Sequence, residues 1–82
     1  MNSNVQDSDY LSIVPNPSNN QIEIILNQGA DHIIITNSFG SILKFVNLEA
    51  DQNQIVIDIS NLTQGVYYIV AGNFGVKKFI KI

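Results

Sequence analysis

Ile57-Asp58-Ile59-Ser60-Asn61-Leu62-Thr63-Gln64-Gly65-Val66-Tyr67-Tyr68-Ile69-Val70 reads as the end of one strand, a turn, and most of a second strand. Side chains of an extended chain alternate between two faces, so Ile55, Ile57 and Ile59 share one face with Asp58 on the other. Ser60 to Gly65 then supplies Ser, Asn, Thr and Gly, which bend the chain through local side-chain hydrogen bonds or through backbone angles open to glycine. Asn61 to Gln64 has room for one helical turn at most. From Val66 to Ala71 the β-branched and aromatic residues return, and these pack best on a pleated surface.

The same alternation of short apolar runs with turn residues fills the rest of the chain from Tyr10 onward. Seven strands are expected: Tyr10 to Val14, Gln21 to Leu26, His32 to Thr36, Ser41 to Asn47, Gln54 to Ile59, Val66 to Ala71, and Val76 to Ile82. Ile22, Ile24 and Leu26 lie on one face with Glu23 opposite. Leu43 and Phe45 lie opposite Lys44 and are expected to be the internal pair of their strand. Asn37-Ser38-Phe39-Gly40 predicts a hairpin with a bulge, Gly40 ending the loop. Pro15-Asn16-Pro17 ends pairing after the first strand, because proline has no N–H to give a ladder. No window keeps a helical period, and parallel strands would need crossover helices for which there is no room. The expected fold is all-β, a seven-stranded antiparallel sandwich of two sheets. Leu62, Gly65 and Tyr67 resemble the corner of immunoglobulin-like sandwiches, where a tyrosine hydroxyl bonds to upstream backbone. Tyr67 is therefore expected to be structural.

Composition removes most chemistry. The chain has 82 residues, enough for one small core, and only 13% are charged while 45% are hydrophobic, which argues against disorder. Ile contributes 14 residues and Val 7. With no cysteine there is no thiol nucleophile, disulfide or zinc–thiolate site. One histidine cannot form a multi-histidine metal site. His32 follows Asp31 directly, and neighbours on a strand point to opposite faces, so the pair is no catalytic dyad. Glu49, Asp51 and Asn53 share a loop but lack the pattern of a calcium loop, and a solvated acidic loop is expected. No enzyme, cofactor, metal or small-molecule substrate is expected. A net charge of −3 with no arginine disfavours nucleic acid, and no apolar run is long enough for a membrane helix.

Charge is unevenly placed. Residues 1–76 hold seven acids and one lysine, whereas residues 77–82 hold three lysines and no acid. Strict alternation puts Val76, Lys78, Ile80 and Ile82 on one face of the last strand and Lys77, Phe79 and Lys81 on the other. A bulge near Lys77 is one way to give the strand a cleaner apolar face. Ile80 and Ile82 are expected to close the core, leaving the lysines solvated. Lysine on a strand of this kind either blunts edge-to-edge pairing or offers a recognition surface, and the residues leave both open.

Val14-Pro15-Asn16-Pro17, Ile35-Thr36-Asn37-Ser38-Phe39-Gly40-Ser41, the stretch from Ile57 to Val70, and Lys77-Lys78-Phe79-Ile80-Lys81-Ile82 occur in that order. Together they resemble the C-terminal sorting domain of type IX secretion cargo, type A, over residues 10–82. Val14 stands where that family usually has an aromatic residue. The resemblance implies an immunoglobulin-like sandwich that carries a fused cargo from the periplasm through the outer-membrane translocon of Gram-negative bacteria. A sortase then commonly removes the domain and leaves the cargo on the cell surface or outside. It implies a monomer without membrane insertion, whose partners are the secretion machinery and its sortase. It places candidate recognition on Lys77, Lys78, Phe79, Lys81 and Ile82. Residues 1–9, mostly polar, are expected to be a linker or the remnant of a cut from a longer parent. The competing expectation is a fibronectin-like or carbohydrate-binding module, against which stands the absence of Trp and of an aromatic platform.

Overall fold

The computed structural model describes residues 11–27, 29–72 and 75–82. Seven strands follow one another: β1 (Leu11–Val14), β2 (Gln21–Leu26), β3 (His32–Asn37), β4 (Ile42–Asn47), β5 (Gln54–Asp58), β6 (Gly65–Ala71) and β7 (Gly75–Lys81). All strand pairs are antiparallel, in a three-stranded sheet of order β1-β2-β5 and a four-stranded sheet of order β4-β3-β6-β7. The described residues contain no helix. Tyr10, residues 1–9 and part of the β6–β7 turn lie outside the described residues.

β2 is held in register by its alternation, since a slip of one residue would bring Glu23 into the core in place of Ile22 and Ile24. Ile22, Ile24 and Leu26 of β2 and Leu11 and Ile13 of β1 face Ile33 and Ile35 of β3 and Ile69 and Ala71 of β6. Ile57 and Ile59 complete the three-stranded side, and Tyr67 and Phe79 fill the other, with their rings 5.6 Å apart. Tyr67 is opposite Phe79 in the β6–β7 ladder, which places the two aromatics in contact across neighbouring strands.

The β3–β4 hairpin carries the expected irregularity: Ile35 pairs with Lys44 but Thr36 pairs with Ile42, leaving Leu43 as the extra residue. Asn37 closes the loop, its Oδ1 accepting from the N–H of Phe39 at 2.9 Å and of Ser41 at 3.0 Å. Gly40, at φ 87°, takes the left-handed angle that this turn requires. The faces of β4 are the reverse of the expected ones. Phe45 is more than half exposed and Leu43 is exposed, whereas Val46 packs against the core and Lys44 is half-buried. As an edge strand β4 has partners on one side only. A lysine stem there can lie inward with its ammonium at the seam, where it acts on Asp58 of β5. Phe45 instead stacks outside on His32, ring centroids 5.0 Å apart.

Candidate functional site

The two ends of the motif order meet. β7 is an edge strand, and residues 16–18 lie along its free edge. Flanked by two prolines that cannot donate, Asn16 pairs through its side chain. Its Oδ1 accepts from the Ile80 N–H at 3.0 Å, and its Nδ2 donates to the Lys78 carbonyl at 3.3 Å. Ser18 continues the contact through backbone: its N–H donates to Ile80 O and its carbonyl accepts from the Ile82 N–H, both at 2.8 Å. Ser18 is fully buried, and its hydroxyl donates to the Pro15 carbonyl. Both Xaa-Pro bonds here are cis. Four hydrogen bonds thus cover the edge of β7 from Lys78 to Ile82, so those backbone groups do not stand open to another chain.

On the inner side, β7 is held by the corner. The Tyr67 hydroxyl donates to the Thr63 carbonyl at 2.5 Å and lies 3.2 Å from Thr63 Oγ1, as the sequence predicts for a corner tyrosine. Leu62 packs on the core from the same turn. Gly65 opens β6 at φ 157°, an angle that L side chains seldom take, and the ring of Tyr67 lies 4.0 Å from where a Cβ would stand.

The ladder of β7 on β6 runs without a register shift from Gly65↔Lys81 to Ala71↔Gly75, so no bulge forms at Lys77. The alternation therefore holds, but its inward face is the one not expected. Phe79 is wholly buried and Lys81 is only 8% exposed, while Ile80 and Ile82 are 41% and 55% exposed. One buried aromatic ring against Tyr67 outweighs two aliphatic side chains at a strand edge, because the inner face offers contact on every side. Of the expected recognition residues, Phe79 and Lys81 are thus not accessible in the folded domain, Lys77 is half-buried, and Lys78 and Ile82 face solvent. The Lys81 ammonium donates to the Ile82 carbonyl at 3.2 Å. Lys44, Lys77 and Lys81 all point inward from edge strands, a placement that discourages edge-to-edge pairing. Lys78 alone is directed outward.

Ser18 was not among the expected residues, and the role of the Asn16 side chain was not foreseen. The available signal was that Pro15 and Pro17 leave Asn16 and Ser18 as the donors able to complete an edge.

Electrostatics at the surface is local. Asp58 is held below the usual carboxylate range by the Ser60 hydroxyl, then by the Ser60 backbone N–H at 2.8 Å, and by Lys44. Glu49 to Asn53 forms a turn closed on itself, Gln52 Oε1 accepting from the Glu49 N–H at 2.9 Å and the Gln52 N–H donating back to the Glu49 carbonyl at 3.1 Å.

No curated protein matches the chain. The family model described as the secretion system C-terminal sorting domain matches residues 12–82, which takes in the Pro-Asn-Pro clamp, the hairpin, the tyrosine corner and β7. The chain belongs to the family of secretion system C-terminal sorting domains, the non-catalytic type IX signals that direct cargo proteins for secretion from Gram-negative bacteria and engage the secretion machinery.

Proposed function

We propose that this domain accompanies a folded cargo from the periplasm through the outer-membrane translocon, and that a sortase then cuts within residues 1–9 to leave the cargo on the surface. Residues 10–82 are the transported signal in this reading, and residues 1–9 are the linker that is cut. The machinery reads β7 through the exposed Lys78 and Ile82, while Lys77, Phe79 and Lys81 act indirectly by fixing the strand. The observation that supports this is the hydrogen-bonded union of residues 16–18 with β7. A segment near one end of the domain and the strand at the other form one rigid surface, so a receptor reading it would sense whether the whole domain has folded. The domain travels as a monomer and inserts in no membrane.

The test is to map the processed ends of a reporter fused ahead of Met1 by mass spectrometry in a type IX-competent strain, with and without its sortase. The expected result is a cut upstream of Leu11 that disappears with the sortase. A cut inside residues 15–82 would overturn the boundary, and surface reporter with the domain still attached would overturn the removal step.

A further inference from the structure

The two sheets present unlike outer faces. On the three-stranded sheet, apolar and polar residues alternate along the rows: Val14 pairs with Glu23 and Glu23 with Val56, while Ile25 lies between Ser12 and Gln54. This face has acids and no base. On the four-stranded sheet one row is apolar across all four strands, Phe45–Ile34–Val70–Val76. The next row is Ile42–Thr36–Tyr68–Lys78, and beyond it Val66 pairs with Ile80. Ile42, Phe45, Val66, Val76 and Ile80 are between 39% and 62% exposed. An antiparallel sheet that faces water on one side ordinarily places polar residues there. Lys78 is the one lysine on this face, and no acidic side chain stands in these rows. Phe45 stacks on His32, which gives this face an exposed aromatic pair.

From this we infer that the outer face of the four-stranded sheet is a transient docking surface for a partner protein that presents an apolar patch with a carboxylate set to meet Lys78. The inference deepens the secretion reading and rests on it. Charge argues against a second copy docked through the same face. A second copy laid face to face would bring lysine to an apolar surface with no acid to receive it, and an unpaired buried ammonium is costly. An anionic membrane would repel a chain of net charge −3 that offers one lysine there. Size gives the lifetime. Four strands about 4.8 Å apart and five residues of about 3.3 Å each cover about 320 Å². A stable complex needs about 800 Å² on each partner. The face is therefore built for a contact that forms and releases, as a passenger needs.

The test places a benzophenone photocrosslinker at Val76, and for comparison at Val56 on the other sheet, in the full chain fused to a reporter in a type IX-competent strain. The expected result is an adduct from position 76 and none from 56, mapping to a partner peptide that contains apolar residues and Asp or Glu. Lys78→Glu, with the fold checked by circular dichroism, should lower the adduct by about tenfold or more and slow export. Equal adducts from both positions, an adduct with a second copy alone, or crosslinking to lipid would overturn the inference. If the parent fusion is exported and neither Lys78→Glu nor a Phe45→Thr/Val76→Thr pair changes export or crosslinking, this inference fails while the secretion reading stands. If the parent fusion is not exported, both fail.

Discussion

Replacing Asn16 with Ala removes an exposed side chain, yet it should weaken the terminal strand. The change takes away the acceptor of the Ile80 N–H and the donor to the Lys78 carbonyl. Asn16 is exposed, so water can replace part of what is lost. At about 0.5–1.5 kcal/mol net for each bond, the cost is about 1–2 kcal/mol. For a domain of this size each kcal/mol lowers Tm by about 4–8 °C, so a fall of about 5–15 °C is expected. Amide exchange locates the effect. The Ile80 amide points to the free edge and should lose protection. The Phe79 amide, which alternation directs to β6, should keep most of its own. Asn16→Asp retains the acceptor but not the donor, so Ile80 should stay protected while stability still falls. An Asn16→Ala variant with unchanged Tm and a protected Ile80 amide would show that the clamp does not hold β7.

Other expectations follow from the same contacts. Tyr67→Phe should cost about 1 kcal/mol through the lost bond to Thr63, and Tyr67→Ala on the order of 3 kcal/mol, both read from urea unfolding; equal costs would mean the hydroxyl bond contributes nothing. Lys81→Met should be within about 1 kcal/mol of the parent, since a largely buried lysine side chain is exchanged for an apolar chain of similar length. Because Lys81 is assigned a structural role, the same variant should export normally, whereas Lys78→Gln should not. Asp58 has a lowered pKa in the folded state, so the stability it contributes is present above its unfolded pKa and lost as pH falls through the folded value. Asp58→Asn should therefore flatten the acid limb of a plot of urea midpoint against pH, and an unchanged limb would count against the Ser60 bonds.

The strands were legible as short β-branched and aromatic runs bounded by turn residues, with a period of two clearest in β2 and β5, and Asn37–Gly40 and Leu62–Tyr67 are local patterns whose chemistry lies within a few residues. What misled was choice between faces at the sheet edges. β7 offers Val76, Ile80 and Ile82 on one side and one aromatic, Phe79, on the other, so counting apolar residues selects the wrong side. The contact that decides is with Tyr67, a residue on another strand. On β4 the extra residue at Leu43 resets the alternation, and Phe45 finds its partner in His32 outside the core. The clamp was out of reach for a different reason: Asn16 and Ile80 are separated by 64 residues, and a hydrogen bond over that distance leaves no periodic trace. Pro15-Asn16-Pro17 could be read as a turn, but not as the cover of an edge.

Export of a periplasmic reporter carrying the complete chain at its C-terminus tests the central claim most directly. The comparison is between a type IX-competent strain and its translocon-deficient sibling, with a fusion lacking Lys81 and Ile82 alongside. Reporter outside the outer membrane only in the competent strain, and reduced when the last two residues are removed, is the predicted result. Reporter retained in the periplasm of both strains, with the domain folded, would contradict it.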